Sequence, residues 1–318
     1  MTRVYFATDV HGSERVWRKW LSVPSFHKAD ILILAGDLTG KAIAPIVKKS
    51  DGSAICNVFG RDWRLKTDSE IRGMEERIRS YGYYPYVCTV EEFRELEHDE
   101  KKVDALLKQL MVKRIEDWLS LLIEKVDLRK TRVVVMPGND DETVIDSAIR
   151  SYEDSGVIYP LDKVTNLLYD FEMISLDYSN PTPWKTPREC SEDELEKKIR
   201  DLFSRVSSYA KTICNFHCPP ANTKLDLAPK LDKNLKPVTT LTGSRVMAHV
   251  GSEAVRKTIR EYQPMIGLHG HIHESFASDK IGKTPVLNPG SEYTEGILRG
   301  FIAEFSESGV DKYWKVEG

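Results

Sequence analysis

The sequence predicts an α/β fold in which parallel strands carry ligand-type side chains at their carboxyl ends. Five short apolar runs, typical of buried strands, are each followed by a polar cluster. Helical patterns alternate with these runs, as in parallel sheets whose strands are joined by helical crossovers. Because groups just past the carboxyl ends of such strands converge on one crevice, we expect the five clusters to meet at a single site.

The first 40 residues contain two of these units. The run Val4–Ala7 precedes Asp9 and His11, and the run Ile31–Ala35 precedes Asp37. A helix is predicted between the two units because apolar side chains recur there at helical spacing, namely Val16, Trp17, Trp20 and Leu21.

The pattern changes over residues 41–130, where no further ligand cluster occurs. Ala42–Lys49 and Ala54–Arg61 are predicted as the two strands of a hairpin around a glycine-containing turn. Thr67 and Thr89 each begin a capping-box pattern, which predicts a helix N-terminus at each position.

A long amphipathic helix is predicted from about 101 to 127, with one apolar face and one charged face. The apolar face requires a packing partner, which is either the protein's own core or another chain. We interpret residues 41–130 as a mostly helical, hairpin-plus-helices insertion within a single domain of residues 1–318. It is expected to act as a cap or as the dimerisation element of a homodimer.

The alternation of strands and clusters resumes after the insertion. Val133–Met136 precedes Asn139 and Asp140, and Thr212–Phe216 precedes His217. Each of these runs is short, apolar and rich in residues that favour strands, and each is followed by residues that favour a turn. The third and fourth clusters therefore repeat the arrangement of the first two.

The last cluster contains His271 and His273 after the run Pro264–Leu268. Two imidazoles separated by one residue lie on the same side of an extended segment, which suits metal binding. The other elements predicted in this half are a helix over 141–152, strands over 166–169 and 171–176, a helix capped at Ser191, a long loop over 219–243 and a helix from Ser252 to about 262.

Each cluster has a structural alternative when it is taken alone. Asp9, Asn139 and Asp140 are also suited to capping a helix, and His217, which lies before two prolines, is also suited to a loop. The order of all five clusters, each after a strand, favours metal ligation for the set. That set is the ligand inventory of a two-metal hydrolase, with two carboxylates, one amide and four imidazoles: Asp9, His11, Asp37, Asn139, His217, His271 and His273.

The composition is that of an ordinary globular protein. The 318 residues are 41% hydrophobic and 30% charged, and the net charge of −3 creates no general attraction to nucleic acid or to anionic membranes. The five cysteines form no CxxC pair, and the N-terminus has no leader pattern. We expect a reduced, soluble, cytoplasmic protein without a membrane partner.

The motifs Asp-x-His, Gly-Asp, Gly-Asn-x-Asp, a lone His and Gly-His-x-His occur in this order between residues 9 and 273. In this order they resemble the calcineurin-like metallophosphoesterases. The resemblance implies a four-layer αββα sandwich of two mixed β-sheets flanked by helices. It also implies two divalent metal ions, one held by Asp9, His11, Asp37 and His273 and the other by Asp37, Asn139, His217 and His271.

Imidazole and carboxylate ligands together suit Mn, Fe, Zn, Ni or Co and disfavour Ca. Two such ions share a hydroxide and neutralise phosphate oxygens during in-line attack. We therefore expect a metal-dependent phosphoesterase that hydrolyses phosphodiesters or small phosphorylated metabolites. A nuclease of the same superfamily is an alternative, disfavoured by the net charge. A scaffold that has lost the chemistry is another, disfavoured by seven intact ligand positions.

The chain departs from the family pattern at Asp140, where these enzymes usually have a histidine. In one hypothesis Asp140, beside Asp141, has a raised pKa and protonates the leaving group. In the other, no acid is needed because the substrate has a good leaving group. His249 is a weaker candidate for a substitute imidazole. The segment Asn288–Ser291 resembles a branch of small bacterial and archaeal phosphodiesterases that also lack the histidine, although an ordinary turn explains it nearly as well.

Two further residues lie next to ligand positions and are predicted not to be ligands. Cys218 is interpreted as a small packing residue because its neighbour already fills the motif position. His269 is interpreted as a same-face or supporting residue.

Overall fold

The chain forms two six-stranded mixed β-sheets flanked by helices in a computed structural model that describes all 318 residues. The strands in chain order are β1 (Thr2–Ala7), β2 (Ile31–Ala35), β3 (Ile43–Lys48), β4 (Ala54–Val58), β5 (Arg61–Leu65), β6 (Tyr84–Thr89), β7 (Arg132–Met136), β8 (Val157–Ile158), β9 (Thr165–Leu168), β10 (Phe171–Leu176), β11 (Thr212–Phe216), β12 (Leu227–Pro229), β13 (Met247–His249), β14 (Ile266–Leu268), β15 (Ala277–Ile281), β16 (Thr284–Asn288), β17 (Arg299–Ser306) and β18 (Gly309–Glu317). The α-helices are α1 (Glu14–Leu21), α2 (Val23–His27), α3 (Asp68–Ser80), α4 (Val90–His98), α5 (Glu100–Lys125), α6 (Ile145–Arg150), α7 (Glu192–Phe203) and α8 (Glu253–Tyr262).

The first sheet has the strand order β18-β17-β1-β2-β7-β8. Strands β1, β2, β7 and β8 are parallel, and β17 and β18 extend the sheet in antiparallel fashion. Every residue of β2 is buried. A parallel strand covered on both faces needs apolar side chains at every position, which explains the uninterrupted run Ile31–Ala35.

The second sheet has the strand order β15-β16-β14-β11-β10-β9, with four parallel central strands and antiparallel edges. In β11, Ile213 faces the core shared with the first sheet, whereas Cys214 and Phe216 face the opposite side, toward α7 and α8. Alternate residues thus belong to two different cores, and both faces of this sheet are covered.

The main core of the protein lies between the two sheets and continues beneath α1, α5 and α6. Trp17 of α1 stacks on Trp118 of α5 with 4.7 Å between the ring centroids. A second core joins the outer face of the second sheet to α7 and α8. The order of layers is therefore helices, sheet, sheet, helices, and the predicted αββα sandwich is confirmed.

The segment 41–130 contains more strand than the sequence predicts. The hairpin is confirmed as β3 and β4, but β5 and β6 complete a four-stranded sheet of order β5-β4-β3-β6. Helix α3 covers this sheet with its own small core. The two added strands carry little sequence signal, because β5 is polar and mostly exposed and β6 contains Pro85 at a sheet edge.

The predicted long helix is α5, whose apolar face packs on the protein's own core. Met111, Ile115, Trp118 and Leu122 are buried in the main cluster beside α1 and the first sheet. The inserted segment is thereby tied to the body of the protein by the last four turns of this helix.

Most of the remaining predicted elements are confirmed. Strands β9 and β10 and helices α7 and α8 lie where the patterns place them, and Thr89 and Ser191 form complete capping boxes. The helix predicted over 141–152 was placed too early, since α6 begins only at Ile145. The side chain of Asp141 is instead turned into the protein, where it accepts four hydrogen bonds.

Candidate metal centre

The five predicted clusters meet at one edge of the sandwich, because every ligand loop follows the carboxyl end of a parallel strand. Neighbouring strands β1, β2 and β7 of the first sheet supply the first three loops. Neighbouring strands β11 and β14 of the second sheet supply the other two. The predicted ligand side chains fall into two groups that could each hold a metal ion and that share one carboxylate: Asp9, His11, Asp37 and His273 in one, and Asp37, His217 and His271 in the other.

In the first group, the imidazoles of His11 and His273 face each other with 2.9 Å between their Nε2 atoms. One carboxylate lies beside each ring. Asp37 Oδ2 is 3.6 Å from His11 Nε2, and Asp9 Oδ1 is 3.6 Å from His273 Nε2. Two nitrogen and two oxygen donors therefore surround one point and could hold a metal ion.

In the second group, the amide oxygen of Asn139 joins the two remaining imidazoles. Its Oδ1 atom lies 2.9 Å from His217 Nε2 and 2.7 Å from His271 Nδ1. The other end of the amide donates a 2.7 Å hydrogen bond to Thr186 Oγ1, which orients the oxygen toward the rings. Asp37 Oδ1 lies 3.5 Å from His217 Nε2, so the Asp37 carboxylate faces both groups.

Four of the seven ligand residues adopt the left-handed backbone region. Asp9, His11, Asp37 and His271 have φ angles of 53°, 41°, 47° and 68°. Non-glycine residues rarely adopt this conformation, and its cost is tolerated where the surrounding structure requires it, most often at functional sites. The strained turns aim the side chains of successive loops at a common centre.

Two motif glycines permit the close approach of the ligand loops. A Cβ at Gly36 would collide with the ring of His217, and a Cβ at Gly138 would collide with the carboxylate and backbone of Asp37. Glycine is therefore needed at both positions for steric reasons, and the Gly-Asp and Gly-Asn motifs contain it directly before the ligand.

The protonation states of the imidazoles differ with their neighbours. Burial lowers the pKa of His11 to about 3 and the pKa of His271 to about 4, so both rings are neutral, which is the form that binds metal. Burial also opposes charge on His217, but the Asp37 carboxylate outweighs it and raises the pKa of His217 to about 9. The buried carboxylates thus create a negative potential that favours a cation at this point.

Asp141 holds the second and third ligand loops together. Its buried carboxylate accepts hydrogen bonds from the backbone N–H groups of Leu38, Thr39 and Gly138, and from the Thr39 hydroxyl at 2.6 Å. Burial and the nearby Asp37 carboxylate raise the pKa of Asp141 to about 6, and these donors counteract that rise. The second Asp of the cluster is therefore a structural brace between β2 and β7.

The segment Asn288–Ser291 supports the first and last ligand loops. Asn288 Nδ2 donates to the carbonyl oxygens of Gly270 and Ile272, both at 3.1 Å, and Ser291 Oγ donates to the Asp9 carbonyl at 2.6 Å. Backbone turn geometry alone does not explain these side-chain contacts. The segment therefore lies behind the predicted ligands and supports their loops through hydrogen bonds.

Asp140 lies at the rim of the centre, with 14% of its side chain exposed. Its Oδ2 atom forms an ion pair with Lys41 Nζ and lies 3.9 Å from His11 Nδ1. Its backbone N–H donates a 3.0 Å hydrogen bond to Asp37 Oδ1. Burial and the Asp37 carboxylate raise the pKa of Asp140, while the ammonium group of Lys41 opposes that rise.

The other residues singled out from the sequence have structural contacts. Cys218 is buried in the second core, and its thiol donates to Asn180 Oδ1 at 3.0 Å. His269 is buried, with Nδ1 at 2.8 Å from the Phe216 carbonyl oxygen. His249 pairs with the buried Asp226 at 2.8 Å and contacts no ligand residue.

Four residues near the centre were not identified from the sequence. One of them belongs to the second ligand loop itself, and the other three reach the ligand loops from segments without a ligand motif, two of them from residues 41–130. A local signal existed for Thr39 and Lys41, because both follow Asp37 within four residues. The four are Thr39, Lys41, Arg114 and Tyr293, whose ring centroid lies 4.8 Å from that of His11.

The donor set fits divalent transition metals. Donor atoms on opposite sides of one ion are about 4 Å apart when each bond is about 2.0–2.2 Å. Within each group the closest approaches between donor atoms range from 2.7 Å, between His271 and Asn139, to 3.6 Å, between His11 and Asp37 and between His273 and Asp9. Mixed nitrogen and oxygen donors of this kind suit Zn, Mn, Fe, Co and Ni.

Comparisons with known proteins identify solved structures with a similar fold. No family model matches the chain. MJ1162 of Methanocaldococcus jannaschii, an uncharacterized protein, is 31% identical over 159 residues, which span 49% of this chain and 63% of the relative, less than two thirds of its length. One solved structure matches 98% of both chains with a TM-score of 0.59 at 15% identity. The protein TT1561 of Thermus thermophilus matches 94% of this chain and 93% of its own with a TM-score of 0.51 at 12% identity.

No helix of the protein combines the length and the apolar character needed to cross a bilayer. The helices instead cover two mixed sheets, and the five motifs meet in the expected order at one edge of those sheets. The fold that the sequence resemblance implies is therefore present in this chain.

Proposed function

We propose that this protein is a metal-dependent phosphoesterase with a binuclear centre. The observation that supports this proposal best is that the ligand side chains form two groups around a shared Asp37. One shared carboxylate between two sets of nitrogen and oxygen donors is the arrangement expected for two neighbouring divalent ions. The proposed ligands are Asp9, His11, Asp37 and His273 for one ion, and Asp37, Asn139, His217 and His271 for the other.

Metal ions bound at this centre would supply an activated water and neutralise phosphate oxygens. The side chains of the protein would orient the metal ions and transfer a proton to the leaving group. Left-handed turns aim Asp9, His11 and Asp37 at the centre, and the hydrogen bonds of Asp141 hold the second and third loops together, which supports a preorganised site. Asp140, at the rim with a raised pKa, is suited to donate a proton to the leaving oxygen.

The proposed substrates are phosphodiesters or small phosphorylated metabolites. Asp140 in place of the usual histidine supports this proposal, as do the contacts of Asn288 and Ser291 behind the ligands. The segment 41–130 is proposed to cap the centre, since Lys41 and Arg114 extend from it to the ligand loops. The net charge of −3 disfavours a nuclease, and the seven intact ligands disfavour a scaffold without activity.

The test is hydrolysis of bis-p-nitrophenyl phosphate and p-nitrophenyl phosphate by metal-stripped protein to which Mn, Ni, Zn or Mg is restored. Asp37→Asn removes the shared ligand, and Asp51→Asn, in the exposed turn of the insertion hairpin, is the matched control. We expect metal-dependent cleavage of the diester that Asp37→Asn abolishes and Asp51→Asn retains. Cleavage of the monoester alone would overturn the diester preference. Absence of cleavage with every metal would contradict the proposed activity.

A further inference from the structure

Lys41 is the only lysine or arginine that forms an ion pair with a carboxylate of the centre. The four carboxylates there belong to Asp9, Asp37, Asp140 and Asp141, and their remaining ion-pair partners are histidines. The pair between Lys41 Nζ and Asp140 Oδ2 therefore adds a single permanent positive charge to the rim of an otherwise acidic site.

The backbone that carries Lys41 is held by the inserted sheet. The N–H of Gly40 donates a 3.0 Å hydrogen bond to the hydroxyl of Tyr84, which is buried in β6. From this anchored position the lysine side chain crosses to Asp140 at the third ligand loop. Its side chain remains 59% exposed, so molecules that enter from solvent can contact it.

A substrate phosphate needs cationic partners in addition to the metals, because Asp140 and Asp141 contribute negative charge next to the ligands. The ammonium of Lys41 can donate three hydrogen bonds, and Asp140 uses only part of that capacity. A fixed lysine directed by a carboxylate at the rim is suited to bind a non-bridging phosphate oxygen. We propose that Lys41 is the phosphate-binding residue of this centre and that Asp140 positions it.

This inference rests on the proposed function, since it assigns part of the same site. A phosphate-binding role of Lys41 and a purely structural role predict different measurements. If the ion pair had only a structural role, replacement of the lysine would leave the anion affinity unchanged. The fold should also persist in that variant, because an exposed ion pair contributes little to stability. A phosphate-binding role predicts a loss of anion affinity without loss of metal.

The experiment measures binding of inorganic phosphate to the metal-loaded protein by isothermal titration calorimetry, with metal content measured in parallel. The variants are Lys41→Gln and Lys41→Arg, and the control is Lys49→Gln, an exposed lysine of the same segment without an ion pair. We expect Lys41→Gln to weaken phosphate binding by about 10- to 100-fold at unchanged metal content. Lys41→Arg should retain most of the affinity, and Lys49→Gln should match wild type.

The kinetic readout is the KM and kcat of diester hydrolysis by the same variants. A residue that binds phosphate equally in the ground and transition states raises KM when it is removed and leaves kcat nearly unchanged. Wild-type phosphate affinity in Lys41→Gln, or absence of phosphate binding by the wild type, would overturn the assignment. A lower metal content in Lys41→Gln would also overturn the assignment, because the loss of phosphate affinity would then follow from the loss of metal. Lys41-dependent phosphate binding without hydrolysis of any ester would refute the proposed activity and retain the assignment of Lys41.

Discussion

Arg114 Nη1 donates a 2.5 Å hydrogen bond to the carbonyl oxygen of Gly12, the residue that follows the ligand His11. Arg114 lies on α5 and is 6% exposed, and no carboxylate pairs with it. Its guanidinium group lies over the rings of Tyr84 and Trp118, with centroid distances of 5.1 and 5.7 Å. A buried guanidinium without an anion is costly, so its hydrogen bonds to backbone carbonyls are essential. The inserted helix thus helps to hold the first ligand loop.

Replacement of this arginine is expected to weaken metal binding. Arg114→Met leaves the Gly12 carbonyl without this donor, which should lower the free energy of unfolding by about 1–3 kcal/mol and loosen the turn at His11. Urea denaturation and a metal titration measure the two effects. Arg129→Met, at a position 90% exposed, is the control and should change neither. Wild-type metal affinity in Arg114→Met would show that the contact does not position the ligand loop.

Removal of metal is expected to lower the thermal stability of the protein. Ligands that bind only the folded state stabilise it by mass action, by about 2.7 kcal/mol at a free concentration 100 times Kd. We expect the midpoint of unfolding to rise by several degrees when Mn²⁺ or Zn²⁺ is added after chelation, measured by scanning calorimetry. Asp37→Asn should show little response because it lacks the shared ligand. An identical midpoint with and without every metal would argue against the centre.

Asp140→Asn distinguishes the two hypotheses about the leaving group. Loss of the Lys41 contact in this variant should weaken hydrolysis of both substrates equally, so the comparison between them isolates the acid role. If Asp140 is the acid, the variant should slow hydrolysis of diphenyl phosphate by about 100-fold or more beyond its effect on bis-p-nitrophenyl phosphate, because the nitrophenolate leaves without a proton. Lys41→Gln should impair both substrates similarly, since phosphate binding does not depend on the leaving group. Unchanged hydrolysis of diphenyl phosphate by Asp140→Asn would exclude the acid role.

Acid is expected to destabilise the fold through His269. Burial lowers the pKa of His269 to about 4 from its ordinary value of 6.5, so the unfolded chain binds a proton that the folded state excludes between these two values. Stability should therefore fall as the pH drops from 6.5 to 4, by about 3 kcal/mol in total from this group.

The measurement is the free energy of unfolding against pH in chelated protein, compared with His269→Gln. The variant should lose the part of the slope that comes from this group, while His11 and His271, whose pKa values burial also lowers, contribute equally to both proteins. His98→Gln, which replaces an exposed histidine, should keep the wild-type slope. Equal slopes in the wild type and His269→Gln would mean that other groups account for the acid sensitivity.

The inserted sheet shows where sequence patterns are insufficient. Strand β5 was missed because it is polar and mostly exposed, and β6 was missed because it pairs in parallel with β3 from a distant part of the chain. The helix after Asn139 was placed too early for a related reason. A local pattern treats Asp141 as a helix residue, whereas contacts with Leu38 and Thr39, 103 and 102 positions away, turn it inward.

The sequence by itself determined the types of the proposed ligands, their order and their positions after buried strands. These are local properties, because each apolar run and each turn is encoded by adjacent residues, and parallel strands bring their carboxyl ends to one edge. Only the tertiary structure decided that Lys41 meets Asp140, that Arg114 supports Gly12 and that α5 packs on the protein's own core. These contacts join residues far apart in the chain, and they depend on the packing of whole elements, which no local spacing encodes.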